Sequence, residues 1–244
     1  MLVAAAVCPC PPLLVPEVAA GAAPELDGAR AACVDALGVL AAARPDRLVV
    51  VGPGGEPGHV LFHEGSPGTF RGFGVDLDVR LGGPGPAGAD LPSLPPSLAV
   101  AAWLLQHVGW AHAPVEALAV DQRLPPERCL GIGREIGTRE GRVALLVMGD
   151  GSACRTLKAP GYLDERAAPF DTEAARALRE ADLAALEALD ADLAHELKAS
   201  GRAPWQVLAG AAEGAQDAGG TRLGGALLYD DAPYGVGYLV AAWS

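Results

Sequence analysis

Cys8-Pro9-Cys10-Pro11-Pro12 carries two thiols on a stiff turn, and thiols bind soft metals or attack electrophiles when deprotonated. A second stretch, Gly149-Asp150-Gly151-Ser152-Ala153-Cys154-Arg155-Thr156, puts an acid, a hydroxyl and a permanent cation on a loop whose glycines permit close backbone approach. Gly52-Pro53-Gly54-Gly55 and Asp230-Asp231-Ala232-Pro233-Tyr234-Gly235 are two further loops with polar or permissive groups. Each of the four follows an apolar run that reads as a strand. In open α/β sheets, loops at the carboxyl ends of parallel strands are where ligands bind. Plainer readings stand beside these: two small buried cysteines at a proline-rich exit, and an Asp-Gly turn with solvated ends.

Other reactive side chains are less organised. His59 and His63 lie four apart, and Glu64 adjoins His63, but Gly58, Gly65, Pro67 and Gly68 deny them a helix. His107 and His112 flank Trp110 at a helix end and read as surface or packing residues, while His195 sits in a polar helix beside Glu196. Gly131-Ile132-Gly133 lacks the third glycine of a dinucleotide fingerprint and falls inside a helical pattern. No phosphate-binding P-loop, nucleophile elbow or H-E-x-x-H zinc motif occurs.

The elements that must position these groups follow from periodicity. Met1–Val7 is a charge-free apolar strand stopped by three prolines, which cannot donate to a sheet ladder. Pro24–Ala43 repeats Leu26, Ala29, Cys33, Leu37 and Leu40 at helical spacing, and Arg47–Val51 is a second buried strand. Strand, helix and strand in this order predict a right-handed βαβ unit with neighbouring parallel strands. Gly74–Leu81 alternates like a half-exposed strand near a sheet edge, and Gly82–Pro96 is too rich in Gly and Pro for an element. A helix from Ser97 to about Val108, a strand Val115–Val120, a helix Pro126–Thr138 and a strand Arg142–Met148 follow. Asp171–Lys198 reads as helical with an interruption at Asp190-Ala191-Asp192, and Trp205–Ala215 continues helical. Arg222–Tyr229 and Gly237–Ala242 are the last strands. The expected architecture is one α/β domain over residues 1–244, a mostly parallel or mixed sheet flanked by helices, with a helical insertion before the last two strands.

Composition narrows the classes. Half of the 244 residues are apolar and a fifth are charged, a globular balance. The net charge of −12 argues against nucleic-acid or anionic-membrane partners. No basic residue precedes Arg30, and no apolar run approaches a bilayer span, so a cytoplasmic protein is expected. Five scattered cysteines do not form a disulfide framework and read as reduced thiols.

Five blocks carry a resemblance: C-P-C-P-P-L-L-V-P after the first strand, V-M-G-D-G-S-A-C-R-T, K-A-P-G-Y-L-D, A-P-W-Q-V-L-A-G and D-D-A-P-Y-G-V-G-Y. Together they resemble an actinobacterial branch of the class III extradiol dioxygenase catalytic (B) subunits, the LigB-like fold, over essentially the whole chain. The resemblance implies ring opening of catechol-type substrates by ferrous iron on two His and one carboxylate, with a further His as acid/base. Carried across position by position, Cys10 stands where the family has its first His and Gly54 where it has its second. The acid/base His falls near Cys154 or Arg155, and the carboxylate on Asp230 or Asp231. Arg155 cannot serve as a base near neutral pH, and thiolate in place of imidazole favours Zn or Cu(I) over iron.

Three readings therefore stand side by side. The first is a dioxygenase-like enzyme with a metal held by Cys10, His63 and Asp231, Cys8 being a further thiol within reach. Its chemistry would rest on Cys10, Asp150 and Arg155. The second is a non-catalytic protein binding a small anion through Gly151, Ser152 and Arg155, because a guanidinium fork and glycine-loop N–H groups suit carboxylate or phosphate. A structural ion pair of Arg155 with Asp150 or Asp231 is its bland counterpart. The third is a different metal- or thiol-dependent activity at Cys10. The expected partner is a small aromatic or anionic molecule, with a homodimer an open option.

Overall fold

The computed structural model describes residues 1–85 and 91–244. The opening apolar run forms β1 (Leu2–Cys8), which sends Ala5 and Val7 to one core and Ala4, Ala6 and Cys8 to the other. That division is what a strand buried on both faces requires. After the prolines the chain coils through short turns and α1 (Pro16–Ala19) into α2 (Asp27–Ala42). The helix begins at Asp27 rather than Pro24, because Pro24 lies inside a tighter 3₁₀ segment, Ala20–Leu26.

Next come β2 (Arg47–Gly54) and β3 (His59–Phe62), then β4 (Pro67–Thr69) and β5 (Asp78–Arg80). The strand expected over Gly74–Leu81 contracts to β5 and pairs only with β4, in a ribbon apart from the main sheet. Its alternation reflects ion pairs of Asp76 and Asp78 with Arg71 on one side and buried Val79 on the other. The Gly82–Pro96 loop is irregular up to Pro96 where described, and its residues 86–90 lie outside the described residues. There follow α3 (Pro96–His107), β6 (Val115–Asp121), α4 (Pro126–Gly137) and β7 (Val143–Met148).

The expected helical insertion consists of α5 (Ala167–Glu180), α6 (Leu183–Glu187), α7 (Ala191–Glu196) and α8 (Arg202–Asp217). The first break comes where Ala181 takes a left-handed φ of 48°. The carboxylates of Asp182 and Asp190 then accept backbone N–H bonds at the starts of α6 and α7, satisfying donors that a helix start leaves free. Last are β8 (Gly225–Asp231) and β9 (Tyr238–Trp243).

The main sheet has seven strands in the order β3-β6-β2-β7-β1-β9-β8. Its centre, β6-β2-β7-β1, is parallel; β3 and β9 run antiparallel to it at the flanks, and β8, antiparallel to β9, closes the second edge. Helices α2 and α3 cover one face, and α4, α5 and α8 the other. Gly131-Ile132-Gly133 serves helix packing in α4: a Cβ on Gly133 would stand 2.2 Å from the Val207 carbonyl of α8. Among the described residues no helix is long and apolar enough to cross a membrane.

Candidate functional site

Parallel pairing brings the ends of β1, β2 and β7 to one edge of the sheet. Gly149 donates its N–H to the Cys8 carbonyl at 3.0 Å, which sets the β7 exit beside the Cys8-Pro9-Cys10 turn. The Cys10 N–H then donates to Asp150 Oδ1 at 2.8 Å, and the Cys10 thiol lies 3.8 Å from Asp150 Oδ2. Asp150 is fixed from behind: its N–H donates to Ser200 Oγ at 3.0 Å, and its carbonyl accepts from Gly201 N–H at 2.8 Å. This approach of β7 to the start of α8 requires glycine on both sides. A Cβ on Gly149 would lie 2.4 Å from the Gly201 Cα, and one on Gly201 would lie 2.3 Å from the Trp205 ring.

Burial dominates the electrostatics here. Desolvation pushes the half-buried Asp150 carboxyl up to about 7, against the lowering effect of the Cys10 hydrogen bonds. The same burial, reinforced by the neighbouring Asp150, raises the Cys10 thiol well above its usual range. Tyr238, at the start of β9, is buried, and its phenol is raised by desolvation and then by the charges of Asp150 and Cys10. A carboxyl and a thiol thus meet in one place, within the electrostatic reach of a buried phenol.

Of the three, Cys10 lines a cavity of about 280 Å³, together with Pro53, Gly54, Pro95, Gln122 and Ser200, while Asp150 is held behind it. Ser97, at the start of α3, donates to the Pro53 carbonyl at 2.6 Å and braces the end of β2. Gln122 is supplied by the turn after β6, which buried Arg202 holds by donating to the carbonyls of Gln122 and Leu124. The walls are largely proline and glycine, with a few polar atoms.

The other expected site residues are engaged elsewhere. Gly151 donates its N–H to the Gly237 carbonyl at 2.7 Å. Ser152 is fully buried and gives both its N–H and its hydroxyl to Asp171 of α5, each at 2.7 Å. Arg155 pairs with the same carboxylate at 3.0 Å, so its ion pair is with Asp171 rather than Asp150 or Asp231. Neither Ser152 nor Arg155 lines the cavity; with Gly151 they fasten this loop to β9 and α5. Cys8 points into the core beside Cys33, and Cys154 is buried with its thiol toward the Leu197 carbonyl.

Cys10, His63 and Asp231 are not brought together. His63 follows β3, which runs antiparallel to β6, and it borders a depression with Arg47 and Pro114 at the strands' opposite end. Asp231 is exposed at the end of β8, where it accepts from its neighbour Ala232. Among the described residues no three His, Cys, Asp or Glu side chains are grouped to hold a metal ion. The position matching the family's second His offers no room for one, since a Cβ on Gly54 would sit 2.9 Å from Ala119 Cβ. The residues present therefore do not fit a two-His, one-carboxylate iron.

Sequence reasoning missed Ser200, Gln122, Asp171 and Tyr238. Only Tyr238 carried a local signal, standing at the end of the D-D-A-P-Y-G-V-G-Y block. The others are joined to the site by tertiary contacts alone.

The chain is thus a mixed α/β protein with its candidate site at the carboxyl edge of the parallel strands. No protein-family model matches it, and no curated protein does. Among solved structures it is similar to the uncharacterized protein JW3007 from Escherichia coli K12, at 15% identity over 99% of each chain with a TM-score of 0.59. That similarity is one of fold.

Proposed function

We propose that this chain is a LigB-like protein that keeps the extradiol-dioxygenase cleft as a binding site for a small hydroxylated aromatic molecule, without the iron chemistry of that family. The observation that carries the reading is the Cys10–Asp150 pair: Cys10, where the resemblance sets the first metal ligand, lines the cavity, and Asp150 is hydrogen-bonded directly behind it. A desolvated carboxyl poised near neutral accepts a hydrogen bond from a phenolic O–H and exchanges a proton with it at ordinary pH. Proline walls suit a flat ring, and the volume lies at the small end of ligand pockets. Five buried, unbridged cysteines are in keeping with a reducing, cytoplasmic setting.

The rival readings have less support. Anion binding through Arg155 loses its cation to Asp171. A nucleophilic Cys10 needs a depressed thiol pKa, whereas burial and Asp150 raise it. Anaerobic titration with catechol and protocatechuate, followed by thermal stabilisation and calorimetry, tests the proposal. Catechol binding that weakens roughly 10- to 100-fold in Asp150→Asn is expected, the range for a hydrogen bond to a charged group. Ring opening at an ordinary rate after reconstitution with Fe(II) in air, or catechol binding indifferent to Asp150→Asn, would overturn it.

A further inference from the structure

Beside the Cys10 cavity lies a second one of about 320 Å³. The two share Gly54, Gly55 and Pro95. The second differs in character: Val60 and Phe62 of β3 and Ala119 of β6 form an apolar wall, and the exposed Glu56 stands at its border. Register explains the wall. Val60 pairs with Ala119 and Phe62 with Ala117, so β3 and β6 present apolar groups to the α3 face of the sheet, the face that also holds Cys10. At the shared sill a Cβ on Gly55 would meet nothing within 4 Å, while Gly54 is pressed against Ala119. Two glycines thus leave their stretch of the boundary without side chains, Pro95 being the third residue the cavities share.

We infer that the ligand is bipartite: its hydroxylated ring occupies the Cys10 cavity, and an uncharged apolar substituent crosses the Gly54–Gly55 sill into the chamber walled by Val60, Phe62 and Ala119. This rests on the function proposed above and adds the substrate class, an alkyl-substituted phenol or catechol. Glu56 at the chamber's border disfavours a substituent ending in a carboxylate.

The test compares catechol with its 4-ethyl, 4-propyl and 4-butyl derivatives, titrated anaerobically into the wild-type protein and into Val60→Trp. Val60 is half-buried on an edge strand and lines only the second cavity, so the variant fills that chamber and spares the first. Its melting curve checks that it folds, and Val60→Ala, which enlarges the chamber, serves as a second variant. Each methylene buried should tighten wild-type binding about three- to fourfold. Val60→Trp should erase that gain while leaving catechol itself within about twofold, and Val60→Ala should move the best chain length upward. If catechol binds but chain length changes nothing, or the gain survives in Val60→Trp, the second cavity is not a subsite and the proposed function stands without it. If neither catechol nor any derivative binds, both fall.

Discussion

Replacing Asp150 by Asn removes a charge from a place the protein has desolvated. The folded carboxyl sits at about 7 against an ordinary value near 3.8, so between those two values the folded chain holds a proton that the unfolded chain has released. Stability from this group is fully present below about pH 4 and is lost as pH rises through about 7. At about 1.4 kcal/mol per pH unit, the loss at pH 8 amounts to at most roughly 4 kcal/mol. Asn never ionises and its Oδ1 can still accept from the Cys10 N–H, so the variant escapes most of that loss. For a chain of 244 residues, 1 kcal/mol moves the melting temperature by about 2–4 °C. Asp150→Asn should therefore melt roughly 4–12 °C above wild type at pH 8 and within a degree or two of it at pH 4. Calorimetry across that interval is the assay. A difference that is the same at both pH values, or a variant less stable at pH 8, would refute the desolvation argument.

Helix packing supplies a paired test: Gly137→Ala would put a Cβ 2.0 Å from the Ala211 carbonyl and should cost several kcal/mol by urea unfolding, whereas Gly131→Ala, with nothing within 4 Å, should be neutral or stabilise by about 0.5–1 kcal/mol. Arg155→Ala leaves the buried Asp171 with Ser152 alone and should destabilise the free protein by about 1–3 kcal/mol; an unchanged melt would mean that the ion pair contributes nothing. Cys10 should react with iodoacetamide at pH 7.5 far more slowly than the same thiol in the denatured chain, read by peptide mass analysis; equal rates would contradict its burial beside Asp150.

What the sequence disclosed, and what it hid, divides along the range of the interactions. Buried strands such as β7 are legible because apolar runs bounded by breakers have few alternatives. The strand at Gly74–Leu81 misled because alternation records which side chains face water, and the Arg71 ion pairs produce that record without a place in the main sheet. Strand β3 escaped notice because glycines and a proline surround His59–Phe62, and only its pairing with β6 makes it a strand. In the site, Cys10 and Asp150 were visible as reactive types after strands, and parallel topology joined them. Arg155 shows the limit. Its chemistry was readable, but its partner Asp171 lies on a helix whose docking no local pattern describes.

The order of strands also bears on how the protein is made. Val7 of β1 pairs with Val147 on one side and Ala241 on the other, so the strand synthesised first has both hydrogen-bonding edges waiting for segments that leave the ribosome much later. Until β9 arrives, β1 and the proline turn after it have one unsatisfied flank, a state that exposes apolar surface and favours chaperone contact. The Gly151–Ser152 segment, though Ser152 can already reach Asp171, likewise lacks two of its backbone bonds until Gly237 arrives. A nascent chain halted before β8 should therefore be open to protease at the Gly149–Thr156 loop, and ligand competence should be acquired only once the last strand is in place.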